Sequence, residues 1–571
     1  FIGGKRMSAL ILGAILLYGV FMFYISYKSS KKTKEDTTEY FVAGRSVGSI
    51  ALLGTMCLSI WSALAFFGYG AGLYRQGIGY FSGAVGAYFV GLYAPTIQHR
   101  LWLLGNKYGH ITPGDFFQQR YNSKFFTLLT AAINIIFIVP YIALQIIGVA
   151  NGVDVVSSGQ IGFWLVVAIL TIYIVFHVMK GGSNSVVNTD TLAGFVGVGI
   201  AIITTVVFVK AVLGEGGLAF ATQTILETSP DILRATGEFS TWYGILGLAI
   251  SAGMSIIAWP HIFVRSYMAK SEKVFRVMAV AFPLLELLNF GQFALQGIWV
   301  GKVAYPGLKG AATDNLIPMI ALNYAPSIIG ALLVVGVFAF GMSTADSQLV
   351  VSTSVIQRDI FNEKGNESNT LKKTRIWIVV MMAVILVVVK YRPALLVDYA
   401  YKFSAPGFAQ VMPALFGGLY WRKATKEGAI SGTIVGLIAV LGTLFIHNPI
   451  KGLHPILWGL ILNTIVFVIV SMATKTDEKA VSETIDYFDK IFKKQNNSQH
   501  KVIMILIAIV FVQMLITPYL PNPILFGWMP GQVFNQVLLA FEVSFIGYFL
   551  AKNRFKATEG INLEELYNKS K

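Results

Sequence analysis

Residues 327–350 read SIIGALLVVGVFAFGMSTADSQLV, an apolar run that ends in a cluster of polar side chains. The run is long enough to cross the roughly 30 Å hydrocarbon core of a bilayer as a helix. Helical spacing places Ser343, Thr344 and Ser347 on one face, with Asp346 at its edge. Isolated hydroxyls in a membrane helix often bond back to their own backbone. Four polar side chains in five positions instead favour a site for a monovalent cation.

The composition of the 571-residue chain is that of an integral membrane protein, with 55% hydrophobic and only 13% charged residues. A soluble protein of this size carries about a quarter charged residues. The charges lie between long apolar runs, so the net charge of +16 indicates basic loops rather than a nucleic-acid partner. The one cysteine, Cys57, lies within an apolar run, which excludes an internal disulfide.

Hydropathy predicts an all-α protein with about fifteen membrane-spanning helices. Pro326 is expected to separate a short re-entrant piece from the helix that starts near Ser327. The first span is read as a helix rather than a cleaved signal peptide, because a Lys-rich loop follows it. The expected spans are 8–27, 47–74, 78–104, 125–151, 160–180, 188–213, 240–266, 276–301, 315–350, 374–390, 397–421, 428–446, 455–473, 502–518 and 533–551.

The charges of the loops predict the orientation of the chain. Basic residues fill the loop after the first span and every second loop after it, whereas the alternate loops are short or acidic. Because basic loops stay in the cytoplasm, the N-terminus is expected outside and the tail 552–571 inside. The expected location is the plasma membrane, with the lipid bilayer as a partner.

Two spans carry residues that interrupt a helix. The 47–74 span contains several glycines, and the 240–266 span contains Gly253 and then Trp259-Pro260-His261. Interrupted helices at corresponding places in two halves are typical of an inverted-repeat transporter. The expected division is an N-terminal span and loop, two five-helix repeats, and C-terminal accessory spans with a tail, at 1–46, 47–213, 240–421 and 428–571.

Four stretches, in this order along the chain, resemble motifs of the sodium:solute symporter family. They are AGRSVG at 43–48, GGSNSVVNTD at 181–190, MSTADSQL at 342–349 and GFAQVMPALFGGLYWRKATKEGAISG at 407–432. The resemblance implies a five-plus-five inverted repeat of the leucine-transporter type, with one extra N-terminal and about four extra C-terminal spans. It also implies Na+ as the coupling ion and a small organic solute as cargo.

The resemblance implies a sodium site where the first core helix meets the eighth. Ser343 and Thr344 would supply hydroxyl oxygens to the ion. Leu58, Trp61 and Phe340 would supply backbone carbonyls, so their bulky side chains are no objection.

Some family members carry a second sodium site, which corresponds to Asp190, Asp346 and Ser347 here. This chain has an aspartate, Asp346, where those members have a hydroxyl. Two carboxylates would then share one site with no obvious basic partner. A bound cation, or a proton on one carboxylate, would relieve their repulsion.

The stretch PHIFVRSYMA at 260–269 resembles the proline, pantothenate and acetate permeases and favours a small carboxylate-bearing solute. Proline itself is not expected, because the proline permease has aromatic residues where Ala252 and Ile256 stand here. Gln145 would either line the solute site or form a hydrogen bond between helices. The residues expected at the solute site are Ile60, Ser62, Gln145, Ala252, Ile256 and Pro260.

Three further charged or titratable residues fall within or beside the spans. Glu286 is expected to be structural. Arg265 could bind the solute carboxylate, although positive charge is expected at the cytoplasmic end of a span in any case. His177, near Lys180, is expected to face a loop rather than to relay protons.

No catalytic triad, zinc motif, haem motif or nucleotide-binding GxxxxGK[ST] run is present, so an enzyme or an ATP-driven pump is not expected. The predicted function is sodium-coupled import of a small organic solute, most consistent with a monocarboxylate or a pantothenate-like acid. A sugar or amino-acid symporter is the alternative within the class. A membrane sensor built on a symporter fold and a channel are alternatives from other classes, and the oligomeric state stays open.

Overall fold

A computed structural model describes residues 2–30, 36–237, 241–363, 367–393, 395–450, 452–493, 495 and 497–558. The described chain is almost entirely helical. Short 3-10 and π turns join many of the helices, and the two-residue strands β1 (Ile524–Leu525) and β2 (Met529–Pro530) pair antiparallel.

The helices of the first half are α1 Ile2–Ser30, α2 Thr37–Val42, α3 Ser49–Leu64, α4 Gly70–Gln76, α5 Ser82–Tyr88, α6 Val90–Tyr93, α7 His99–Tyr108, α8 Pro113–Tyr121, α9 Lys124–Val156, α10 Phe163–Phe208, α11 Gly217–Thr228, α12 Trp242–Ala252, α13 Pro260–Arg265 and α14 Lys273–Ala294. Those of the second half are α15 Gly301–Ala304, α16 Leu316–Tyr324, α17 Ser327–Val355, α18 Glu367–Tyr391, α19 Leu396–Tyr399, α20 Ala405–Ala409, α21 Met412–Tyr420, α22 Lys426–Phe445, α23 Pro455–Ala473, α24 Glu478–Val481, α25 Tyr487–Ile491, α26 Asn497–Ile516 and α27 Gly531–Thr558.

Eleven helical stretches within the described residues are long and apolar enough to cross a membrane. Two of them, Ser49–Tyr108 and Phe163–Thr228, run for 60 and 66 residues. One crossing needs about 20 residues, so each of these stretches has the length for two crossings. The count of fifteen spans and the division into two repeats stay predictions.

Helix α10 turns at Gly182, which lies in a left-handed conformation (φ 51°, ψ −153°). A Cβ atom at this position would lie 2.6 Å from the Tyr40 carbonyl oxygen, so glycine is needed for the close approach as well as for the backbone angle. The sequence predicts a break between two spans at 181–187, and the structure has helix on both sides of Gly182. The helix resumes directly after Gly182, where Ser183 donates to the Phe41 carbonyl and Asn184 donates to the Glu39 carboxylate.

Helix α3 is interrupted at Ser62, whose backbone angles (φ 56°, ψ 171°) are not helical. The Gln145 side-chain oxygen accepts the Ala63 N–H at 2.9 Å, and the Ser62 hydroxyl accepts the Leu64 N–H at 3.2 Å. These two side chains replace helical backbone acceptors, as is required in a region without water. The 47–74 span is therefore interrupted as predicted, but at a serine rather than at one of its glycines.

The second interruption follows α12. Gly253 ends that helix, a 3-10 turn covers Met254–Ala258, Trp259 is extended, and Pro260 begins α13. Proline fits the first helical position because its missing N–H would have no helical acceptor there. The interruption of the 240–266 span is confirmed.

Helix α17 is the central helix of the molecule. In its most apolar segment 89% of the residues are buried, whereas the corresponding segments of α22 and α26 are 33% and 22% buried. It packs against α1, α3, α9 and α10. Pro326 precedes its first residue and separates it from the short helix α16, as the sequence predicted.

We predict that Gly86→Ala lowers the melting temperature of the detergent-solubilised protein. The added methyl group would lie 1.9 Å from the Ala249 carbonyl oxygen, where α5 packs against α12. Overpacking of this kind costs about 1–3 kcal/mol. Gly199→Ala is the matched control, because nothing lies within 4 Å of its added Cβ and alanine favours the helix. Equal melting temperatures for the two variants would contradict the described α5–α12 contact.

Candidate functional site

Thr344 of α17 joins the two elements that the sequence assigned to the sodium site. Its hydroxyl lies 3.0 Å from the carbonyl oxygen of Leu58 on α3 and 3.1 Å from that of Phe340 on its own helix. One hydroxyl and two carbonyl oxygens thus converge on one point. Oxygen atoms of this kind, gathered between an interrupted helix and its neighbour, are what a sodium ion needs in a transporter.

The other two predicted ligand residues lie at the same helix contact. The Trp61 ring packs on the Phe340 ring at a centroid distance of 5.6 Å. Ser343 is buried, and its hydroxyl lies within reach of the Asp190 carboxylate. The structure thus brings the five residues to the contact between α3 and α17.

Glu286 fixes the position of Trp61. The indole Nε1 donates to the Glu286 carboxylate at 2.7 Å, and both side chains are buried. The second carboxylate oxygen of Glu286 has no partner within the described part of the chain. No sequence pattern indicates this contact, because α14 and α3 are separated by most of the first half of the chain.

Arg265 lies beside Asp190 and is buried. Its Nη2 atom is 3.5 Å from the Asp190 carboxylate, and the two side chains are 2% and 1% exposed. The expectation that Asp190 has no basic partner is wrong. The sequence allows Arg265 to be a loop charge or a solute ligand, but α13 places it in the protein interior.

His177 is the partner of the other carboxylate. Its Nδ1 contacts the Asp346 carboxylate, and its Nε2 lies 3.2 Å from the Ser185 hydroxyl, which in turn contacts Ser26 at 2.6 Å. The turn at Gly182 brings His177 and Ser185 face to face. His177 is buried and does not face a loop, so that prediction is wrong.

The solute residues predicted from the sequence are all buried around the two interruptions. Ser62 and Gln145 meet at the break in α3, where Gln145 forms the helix-to-helix hydrogen bond that was one of its two interpretations. Ile60 belongs to α3 itself, and Ala252, Ile256 and Pro260 belong to the segment between α12 and α13.

Tyr141 links the two interruptions and was not singled out from the sequence. Its hydroxyl lies beside Ser62, and its ring packs edge-on against Trp259 at 5.2 Å. Tyr141 stands one helical turn before Gln145 on α9, so the polar face of that helix was the signal that could have found it.

A crevice of about 420 Å³ opens beside the same region. Polar and aromatic side chains line it, among them Tyr80, Tyr401, Lys402 and His454. The Tyr401 carbonyl accepts the Ser251 hydroxyl of α12, so the crevice reaches the interrupted helix. Sequence reasoning did not include these residues.

A family model described as the sodium:solute symporter family matches residues 40–436, which is more than half of the chain. The chain belongs to the sodium:solute symporter family. Membership confirms the resemblance found in the motifs and makes the chain a multi-pass membrane transporter rather than an enzyme. The family also supports sodium as the coupling ion.

Curated relatives of this symporter include the sodium/pantothenate symporter of Escherichia coli, 27% identical over 80% of this chain and 95% of the relative. A sodium/proline symporter of Staphylococcus aureus is 26% identical over 81% of this chain and 92% of the relative. The solved outward-open, substrate-bound structure of a Na+-coupled sialic acid symporter superimposes with a TM-score of 0.68 at 16% identity, covering 82% of this chain and 98% of that one. The leucine-transporter type of fold is thereby confirmed.

Thr344→Val is expected to raise the sodium concentration for half-maximal uptake by about tenfold or more, since each tenfold corresponds to about 1.4 kcal/mol of lost binding. The substitution keeps the side-chain shape and removes the hydroxyl that faces Leu58 and Phe340. Thr344→Ser keeps the hydroxyl and is expected to stay within a few-fold of the native protein. Sodium dependence of initial uptake rates in proteoliposomes measures both, and an unchanged Thr344→Val variant would remove Thr344 from the sodium site.

Proposed function

We propose that the chain imports a small carboxylate-bearing solute together with sodium by alternating access. The observation that carries this proposal is the convergence of the Thr344 hydroxyl with the carbonyls of Leu58 and Phe340. The ion would bind there, with Ser343 and Trp61 completing its oxygen shell. The proposed location is the plasma membrane, with the N-terminus outside and the C-terminus in the cytoplasm.

The geometry couples the ion to the solute through α3. Leu58 and Trp61 precede the break at Ser62. Tyr141 contacts Ser62, which forms the break, and Gln145 accepts the N–H of Ala63, which follows it. Sodium that bridges α3 and α17 would fix the backbone just before the break. The solute site on the other side of the break would then be organised only when sodium is bound. Release of sodium to a low-sodium interior would loosen the sodium site and the solute site together.

The energetics of one sodium ion are sufficient for accumulation. A membrane potential of 100 mV is worth about 2.3 kcal/mol per charge. A tenfold sodium gradient adds about 1.4 kcal/mol. The total of about 3.7 kcal/mol supports roughly 500-fold accumulation of a neutral solute, but a monoanion cancels the electrical part and leaves about tenfold.

The stretch 260–269 and the relatives that transport pantothenate support a carboxylate-bearing solute. Some relatives are sodium/proline symporters, and the structural neighbour is a sialic acid symporter. Ala252 and Ile256 leave the solute region without the aromatic residues expected of a proline site. An amino acid or a sugar is the alternative cargo.

We expect saturable, sodium-dependent uptake of at least one small carboxylate by proteoliposomes that contain the purified protein. The panel is pantothenate, acetate, pyruvate, proline and glucose, each with an imposed sodium gradient and with choline in place of sodium. Proline and glucose are expected to give uptake near the choline background. Sodium-driven uptake of glucose alone would overturn the choice of a carboxylate-bearing solute, and uptake of proline alone would contradict the exclusion of proline. Absence of uptake for the whole panel would favour a sensor.

A further inference from the structure

We propose that the guanidinium group of Arg265 is a tethered cation that fills the second cation position of this symporter. The chain would then carry one sodium ion per solute. Shortening Arg265 would open a site for a free guanidinium ion, a planar organic cation of the same shape. The stoichiometry rests on the proposed sodium-coupled transport, whereas the guanidinium site rests on the geometry alone.

The arrangement around Nη2 of Arg265 is that of an ion in an oxygen shell. The hydroxyl oxygen of Thr55 lies at 2.9 Å and that of Ser347 at 2.7 Å, Ser59 contributes a third hydroxyl in close contact, and an Asp190 carboxylate oxygen lies at 3.5 Å. One nitrogen with two hydrogens can satisfy only part of this set by directed hydrogen bonds. Four oxygens around one nitrogen of a delocalised cation therefore also interact with the charge of the group.

The oxygens of the shell come from three helices other than that of Arg265. Thr55 and Ser59 belong to α3, Ser347 to α17 and Asp190 to α10. Asp190 and Ser347 are two of the three residues that the sequence assigned to a second cation site. The positive charge of the guanidinium thus sits where a second sodium ion was expected.

The remaining guanidinium nitrogens of Arg265 also donate within the protein. Nη1 lies 2.5 Å from the His261 carbonyl and Nε lies 3.3 Å from the Thr55 hydroxyl. All three nitrogens are therefore engaged, which argues against Arg265 as the ligand of a solute carboxylate. The fit of a planar, three-pronged donor also indicates that guanidinium, rather than ammonium, is the matched ligand.

The charges of the neighbouring groups are consistent with one built-in cation. Asp190 is balanced by Arg265, and Asp346 contacts His177 rather than this shell. A sodium ion added beside Asp190 would meet the buried guanidinium at short range, where charges are poorly screened. A second ion is therefore disfavoured while Arg265 is in place.

The test measures thermal stability and uptake of Arg265→Ala in the full-length purified protein, with millimolar guanidinium chloride, sodium chloride or choline chloride. Guanidinium is expected to raise the melting temperature of the variant above that in choline and to restore uptake at least several-fold. Arg234→Ala is the matched control, since Arg234 lies at the surface with a 65% exposed side chain. Guanidinium should leave this control unchanged.

The double variant Arg265→Ala/Thr55→Val removes one oxygen of the shell and is expected to lose most of the guanidinium effect. A well-folded Arg265→Ala protein that shows no selective response to guanidinium would overturn the proposal. So would a wild-type ratio of two sodium ions per solute, measured as labelled sodium and labelled solute taken up by proteoliposomes, and this ratio decides the matter if Arg265→Ala does not fold. A guanidinium response in melting temperature without sodium-driven uptake by the wild type would support the tethered cation and contradict the proposed function.

Discussion

The contact between α17 and the interrupted helix α3 is the constraint on which the rest of the site depends. Hydroxyls and free carbonyls in the middle of a membrane must find partners, because no water or lipid can satisfy them. Thr344 meets two carbonyls, and Ser62 and Gln145 satisfy the broken turn. The oxygens gathered by this contact lie where the ion is proposed to bind.

The same interruption also places the ion and the solute within one short segment. Leu58 and Trp61 lie before the break, and Ser62 forms it beside Tyr141. Arg265 links this segment to α10 and α17 through the oxygen shell of Thr55, Ser59, Ser347 and Asp190. A movement of α13 would therefore displace α3 through Arg265. This contact physically connects the two interrupted helices.

The sequence predicted the features that rest on local signals. The apolar run of α17, its polar cluster and the proline before it were enough to place that helix, and Pro260 located the second interruption. The break at Ser62 carries no such signal, because a serine with a positive φ angle is held there by Gln145 from another helix.

The partners of the buried carboxylates were missed for a related reason. Arg265 is 75 residues from Asp190, and His177 is 169 residues from Asp346. Both basic residues also lie near span ends, where loop charge is the ordinary interpretation. Only the packing of α10, α13 and α17 brings these charges together.

Equilibrium binding of radiolabelled sodium to the purified wild-type protein, without solute, tests the central claim most directly. The contact between α3 and α17 predicts saturable binding of one sodium ion per chain, and excess choline is expected to leave this binding unchanged. Absence of saturable sodium binding by well-folded protein would contradict the proposal that these oxygens form a sodium site.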